Sequence, residues 1–138
     1  QYSYVVDAID TVTGKLSLVM QAKAAGTPII CSMGAGNKLD PSRFEVADLY
    51  ETSVCPLARV MRAECRKRGI DHLKVVYSRE EPLQPSPEEA AQAAAPAGGA
   101  ARPGAPKKRA PGSIAFVPSA AGLVLAGEVI RDLALPGQ

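Results

Sequence analysis

The stretch Tyr4-Val5-Val6-Asp7-Ala8-Ile9-Asp10-Thr11 decides how this chain is read. A short apolar run breaking into small and acidic residues is the pattern of a buried parallel strand leaving the carboxyl edge of a sheet. Behind it the periodicity changes. Leu16, Val19, Met20 and Ala24 recur at helical spacing, and Gly26 stands where a helix stops. Pro28-Ile29-Ile30-Cys31-Ser32 then reads as a second buried strand. Strand, helix and strand within about thirty residues make a βαβ unit, hence an α/β fold with a parallel sheet and a right-handed crossover. The first strand needs neighbours on both sides to bury its apolar faces, yet it follows directly on Gln1. The expectation is therefore the back half of a larger α/β protein, with half of the active site elsewhere.

Beyond the second strand, Gly34-Ala35-Gly36-Asn37-Lys38-Leu39-Asp40-Pro41 is a flexible segment closed by an Asp-Pro turn. Arg43 to Leu49 alternates enough, through Phe44 and Val46, to be a strand with one wetter face. Pro56 opens a helix with Leu57, Val60, Met61 and Cys65 on one side, and Gly69 ends it. Leu73 to Tyr77 is a further short strand. From Pro82 to Pro111 the composition collapses into Ala, Pro and Gly, which cannot bury enough apolar surface to offset ordering entropy, so a disordered insertion is expected. Order returns with a strand over Ser113-Ile114-Ala115-Phe116-Val117. A helix follows from about Ser119 to Leu133, whose Ala121, Gly122, Ala126 and Gly127 permit close packing. Residues 1–81 and 112–138 are thus expected to form one domain, with 82–111 inserted in it.

At 138 residues the chain holds one domain rather than two. Its 16 basic and 14 acidic residues balance, so charge gives no pointer to nucleic acid; an RNA contact needs a local patch or the absent part of the protein, and Lys107-Lys108-Arg109 offers such a patch, although a solvated charge cluster is its ordinary reading. Three cysteines without a CxxC pair and a single histidine, His72, do not match zinc-ligand spacing. Cys31 and Cys65 read as buried thiols, and Cys55, just before Pro56, as the exposed one. The usage fits a reducing, cytoplasmic compartment. The most apolar stretch, Ile114 to Leu135, is interrupted by Glu128, Arg131 and Asp132 and is not a membrane span.

An acidic residue at the carboxyl end of a parallel strand, just before a helix, lies where open α/β sheets bind ligands. Asp10 is so placed. Its carboxylate suits a magnesium ion bridging nucleotide phosphates; equally, Asp10 or Thr11 suits the helix cap. Asp7 faces differently along the strand and is expected to brace the site through hydrogen bonds. Lys15, one helical turn on, is placed to reach a phosphate or an acyl-adenylate, although a surface lysine is the ordinary reading. The Gly34-Ala35-Gly36 loop leaves a second strand end on the same sheet edge and suits the wall of the same pocket. Neither GxGxxG nor GxxxxGK occurs, and nothing resembles a Ser/His/Asp triad.

The run Tyr4 to Thr11 with Lys15 resembles the second half of the ThiF-type adenylating family, relatives of ubiquitin-activating enzymes. Ser32-Met33-Gly34-Ala35-Gly36, Leu39-Asp40-Pro41, Asp48-Leu49 and Pro56-Leu57-Ala58-Arg59 with Arg62, in that order, are similar to its tRNA threonylcarbamoyladenosine dehydratase branch. The terminal segments from Gly112-Ser113 and from Pro118 to Leu133 resemble that branch too. The resemblance implies a Rossmann-like three-layer fold with a mixed sheet. It implies ATP and Mg2+ as cofactors, adenylation of a threonyl carboxylate on a modified adenosine beside the tRNA anticodon, and ring closure with release of AMP. Asp10 then matches the acidic residue supporting magnesium and phosphates, and Lys15 a basic position of the same motif. Thr11, Gly34 and Gly36 are carried over as nucleotide-binding positions. A homodimer is implied, with sulfur-relay proteins as further partners and no membrane. The family's glycine-rich nucleotide loop and its N-terminal arginine have no counterpart in this sequence, so the chain alone is expected to be inactive. The CxxC zinc site of the sulfur-carrier-activating branches is missing as well, which favours the dehydratase branch. The rivals are an activator of a ubiquitin-like sulfur carrier protein and a non-catalytic dimerisation scaffold.

Overall fold

The computed structural model describes residues 1–88 and 112–137. Their elements are strand β1 (Val5–Asp7), helix α1 (Val12–Ala24), strand β2 (Ile29–Ser32), strand β3 (Phe44–Asp48), helix α2 (Pro56–Lys67), strand β4 (Lys74–Ser78) and helix α3 (Phe116–Ala134). The strands form one sheet in the order β1-β2-β4-β3. β1, β2 and β4 run parallel and β3 pairs antiparallel with β4, so the sheet is mixed, as expected.

Alternation along the strands builds the layers. Cys31 lies opposite Val75, and Ser32 opposite Val76, so like faces meet across the β2–β4 pair. Ile29, Cys31, Val75 and Tyr77 face one side, where α1 contributes Leu16, Val19 and Ala22, and α2 contributes Ala58, Met61 and Cys65. Ile30 and Val76 face the other side and pack with Leu125 of α3, flanked by Phe44, Val46, Val124 and Val129. Helices on both faces of the sheet give the three-layer arrangement. Thr11 caps α1 and Pro56 opens α2. Gly26 and Gly69, at φ of 65° and 68°, occupy the left-handed conformation that lets the chain turn back after each helix.

Two expectations are corrected. No strand forms at Ser113–Val117: α3 begins at Phe116, with Val117, Ala121 and Leu125 buried. A short apolar run carries no period of its own, and the spacing of four among these residues places it in the helix. Cys55 is not exposed; it is 2% accessible, packed in the core under the start of α2. β1 is an edge strand among the described residues, and Val6 is 49% exposed. Val6 pairs with Ile30 and shares its face, but α3 lies over β2, β3 and β4 and leaves it uncovered. The insertion expected at 82–111 lies, from residue 89 to 111, outside the described residues. No helix among the described residues is long and apolar enough to cross a membrane.

Candidate functional site

The parallel strands β1, β2 and β4 open their carboxyl ends along one edge of the sheet, where α/β sheets bind ligands. The segments after each strand gather there, joined by the amino end of α2. A Cβ on Gly34 would lie 3.8 Å from Leu57 Cβ and 3.9 Å from Cys55 Sγ, which places that helix start beside the loop after β2.

Beneath this edge sits a buried ion pair. Asp7 is 0% and Lys15 1% exposed. Lys15 Nζ donates to Asp7 Oδ2 at 3.0 Å and to the Ser32 carbonyl at 2.7 Å, while Asp7 Oδ1 accepts from the Ile9 amide at 3.0 Å. One cation thereby ties the ends of β1 and β2 to the first turns of α1, and Asp7 braces the segment that carries Asp10. Lys15, expected to reach a phosphate, is instead turned into the sheet, because a buried carboxylate must be paired. Beside it, burial and then the Asp7 carboxylate push the Cys31 thiol far up, so this sulfur stays protonated and inert.

Asp10 stands at the surface, in the turn between β1 and α1. Its carboxylate has no hydrogen-bond partner among the described residues. The cap is Thr11, whose Oγ1 accepts from the Gly14 amide at 3.3 Å. A Cβ on Gly14 would sit 2.7 Å from Thr11 Oγ1 and 2.6 Å from Ile9 Cδ1, so a larger residue there would press on the cap. With the cap supplied by its neighbour, Asp10 is free for a ligand. The described residues hold no cluster of three or more metal-ligating side chains.

The loop after β2 is held from several sides. Gly34 and Gly36 are half-buried, and Asn37 takes a left-handed conformation at φ 58°. Lys38 is 3% exposed, and its Nζ donates to the Gly34 carbonyl at 3.0 Å. Burial pushes this ammonium below the ordinary lysine range, while Cys55 and the Glu80 carboxylate act to restore it. Glu80 Oε1 and Oε2 accept from the consecutive amides of Leu39 and Asp40, at 2.8 and 2.9 Å. The Asn37 carbonyl accepts from the Leu83 amide at 2.6 Å. The Asn37 amide donates to the Gly112 carbonyl at 2.8 Å, and its side-chain Oδ1 accepts from the Gly112 amide at 2.9 Å. A cavity of about 210 Å3 opens between residues 37–39, Leu83 and residues 112–114. Another, of about 230 Å3, lies away from this edge, against Met20, Lys23 and Gly69.

The structure thus brings Asp10, Thr11, Gly34 and Gly36 to one edge and places Lys15 below it. Sequence reasoning did not single out Asn37, Lys38 or Glu80. For Glu80 the available signal is Ser78-Arg79-Glu80 at a strand end, where the Glu80 amide donates to Ser78 Oγ at 3.1 Å in a serine turn.

No family model matches the chain. It is 40% identical over 134 residues to a tRNA threonylcarbamoyladenosine dehydratase of Bacillus subtilis, covering 94% of this chain and 50% of that protein. The Escherichia coli dehydratase is 41% identical over 61 residues, 44% of this chain and 23% of that protein. Dehydratase 2 of Saccharomyces cerevisiae is 42% identical over 93 residues, 62% of this chain and 21% of that protein. The crystal structure of E. coli TcdA, a tRNA N6-threonylcarbamoyladenosine dehydratase in complex with ATP, has the same fold. It matches with a TM-score of 0.73 at 24% identity, over 97% of this chain and 49% of that one. TcdA in complex with AMP matches with a TM-score of 0.72 at 24% identity, over 96% and 49%. The chain thus spans half the length of the Bacillus subtilis relative. In sequence and in fold, it corresponds to the C-terminal half of the tRNA threonylcarbamoyladenosine dehydratases.

Proposed function

We propose that this chain is the C-terminal half of an ATP-dependent tRNA threonylcarbamoyladenosine dehydratase and is inactive by itself. The reading is carried by the 40% identity to the Bacillus subtilis dehydratase across 94% of the chain. The unpartnered Asp10 carboxylate at the carboxyl edge supports it. A threonyl carboxylate oxygen attacks the α-phosphorus of ATP and pyrophosphate leaves; ring closure at the activated carbonyl then expels AMP. Activation is needed because hydroxide is a poor leaving group. Magnesium, when bound, balances charge on the phosphates. Asp10 holds that charge at the edge, Thr11 starts the helix beside it, and Gly34 and Gly36 shape the wall of the nucleotide site. Lys15 acts through Asp7, holding the Asp10 turn in place.

The incompleteness of the site in this chain is supported by β1, an edge strand among the described residues with its Val6 exposed. A second uncovered surface is the outer face of α3, where Phe116, Leu123 and Ile130, seven residues apart, are 50%, 75% and 64% exposed. A helix apolar on both faces is a buried helix. The same stripe supports a homodimer, in a cytoplasmic protein whose partner is tRNA.

The test takes the full-length protein with tRNA carrying threonylcarbamoyladenosine, ATP and magnesium, and follows loss of one water from that nucleoside by mass spectrometry. Asp10→Ala is expected to lower the rate by about a hundredfold or more with the fold intact. Dehydration undiminished in Asp10→Ala would remove the residue from the mechanism. ATP binding without dehydration would point to a sulfur-carrier activator, and no ATP binding to the scaffold.

A further inference from the structure

We infer that Glu80 is the positioning residue of this site: its carboxylate sets the conformation of the loop over residues 34–40 and, through it, the affinity for ATP. The inference rests on the proposed adenylating function. Glu80 spends both carboxylate oxygens on one short stretch of backbone, Oε1 on the Leu39 amide and Oε2 on the Asp40 amide, at 2.8 and 2.9 Å. Charge-assisted bonds of this kind are about twice as strong as neutral ones. Consecutive amides gripped by a planar carboxylate fix both the position and the tilt of the peptide between them. The grip comes from the far end of β4, as Glu80 is anchored through its own amide to Ser78 Oγ, and Ser78 is 0% exposed.

The middle of the loop is held at Asn37, which bonds Leu83 and Gly112, and Glu80 alone grips the two amides at its carboxyl end. The loop contains Gly34 and Gly36 and turns through the left-handed Asn37. Its inward contact is Lys38, whose Nζ holds the Gly34 carbonyl at 3.0 Å. The ammonium is buried and lies close enough to feel the Glu80 charge. Glu80 therefore acts on the loop through the two amides that follow Lys38. Loss of the carboxylate releases the carboxyl end of the loop. The shift reaches Gly34 through a bond already in place. Glu80 touches no reacting group in this scheme; its effect belongs on binding rather than on the chemical step.

The experiment compares Glu80→Ala, Glu80→Asp and Glu80→Gln with the wild type in the full-length protein. Three readouts are taken: ATP KM and kcat for dehydration, thermal midpoint, and amide hydrogen exchange of residues 34–40. Glu80→Ala is expected to raise KM for ATP by about tenfold while kcat changes less than about twofold, because misplacement outside the chemistry acts through orientation. The amides of Leu39 and Asp40 are expected to exchange faster in that variant, and Glu80→Gln, which keeps one acceptor, to recover part of both effects. Unchanged KM in a folded Glu80→Ala protein overturns the inference. So does a fall in kcat alone, or exchange confined to its wild-type rate. A wild-type protein that binds no ATP sinks the adenylating reading instead. Faster exchange in Glu80→Ala would then still uphold the hold on the loop, and unchanged exchange would refute it.

Discussion

Asp7 and Lys15 illustrate how burial assigns a residue its work. Both look available in the sequence, and both are enclosed in the folded chain, where each ionised group is tolerable only because the other is 3.0 Å away. Removing one partner leaves a stranded charge. Lys15→Met is therefore expected to lower the stability of the full-length protein by about 3–5 kcal/mol, read as a fall in the urea midpoint. The double variant Asp7→Asn with Lys15→Met is expected to regain much of that loss, since no charge is then left unpaired. A Lys15→Met protein as stable as the wild type would show that the pair is not buried in solution. Asp10, three residues from Asp7, has the opposite fate because Thr11 takes the cap. That division of labour is invisible in spacing, which suits either residue to the cap.

At the scale of elements, α3 is fastened by a polar latch as well as by Leu125. Tyr4 Oη donates to Asp132 Oδ2 at 2.6 Å, and Lys74 Nζ donates to the same oxygen at 2.8 Å and to Glu128 Oε1 at 2.9 Å. Burial, and then the hydrogen bond to Asp132, push Tyr4 up to about 12. Burial opposes the charge of Lys74, but its bonds to Asp132 and Glu128 outweigh this and raise it. Bonds from Lys74 and Tyr4 hold Asp132 below the usual carboxylate range. A depressed carboxylate contributes stability that is complete above its unfolded value, about pH 4, and is lost as pH falls through its lower folded value. The raised Tyr4 and Lys74 contribute below their unfolded values, near pH 10, and lose that contribution as pH rises through their folded ones. The latch is thus firm between the two limits. Difference absorbance against a Tyr4→Phe protein is expected to place Tyr4 ionisation near 12. Asp132→Asn should bring it down towards the ordinary tyrosine value. A wild-type Tyr4 that titrates near 10 would show the latch open. The partners come from the start of β1, the start of β4 and the end of α3, so no local pattern announces them.

For the whole molecule the two sheet faces differ. The face under α1 and α2 carries the larger core, whereas the face under α3 buries Ile30, Val76 and Leu125 and leaves Val6 bare. The outer stripe of α3 is expected to hold the full-length protein together as a dimer. Leu123→Glu with Ile130→Glu places two charges in that stripe and should convert the dimer to a monomer in sedimentation velocity, without loss of helix content. A sedimentation coefficient unchanged from a dimeric wild type would exclude this face as the interface.

Much of this arrangement was determined by the sequence itself. Local periodicity and punctuation were enough for the βαβ unit, for α2 between Pro56 and Gly69, and for β3 and β4, because hydrophobic spacing and chain-stopping residues act over a few neighbours. They were enough, too, to bring Asp10 and the Gly34 loop to one edge, since parallel strands must release their carboxyl ends together. Only the tertiary structure decided the rest. It put Phe116 and Val117 at the start of a helix instead of in a strand, because the packing of Leu125 on Ile30 and Val76 sets the phase of that segment. It buried Cys55 and Lys15, and it delivered Glu80 from the end of β4 to the amides of Leu39 and Asp40. The last of these outcomes depends on groups some forty residues apart in the chain being brought within hydrogen-bonding reach, and no pattern of neighbouring residues encodes that distance.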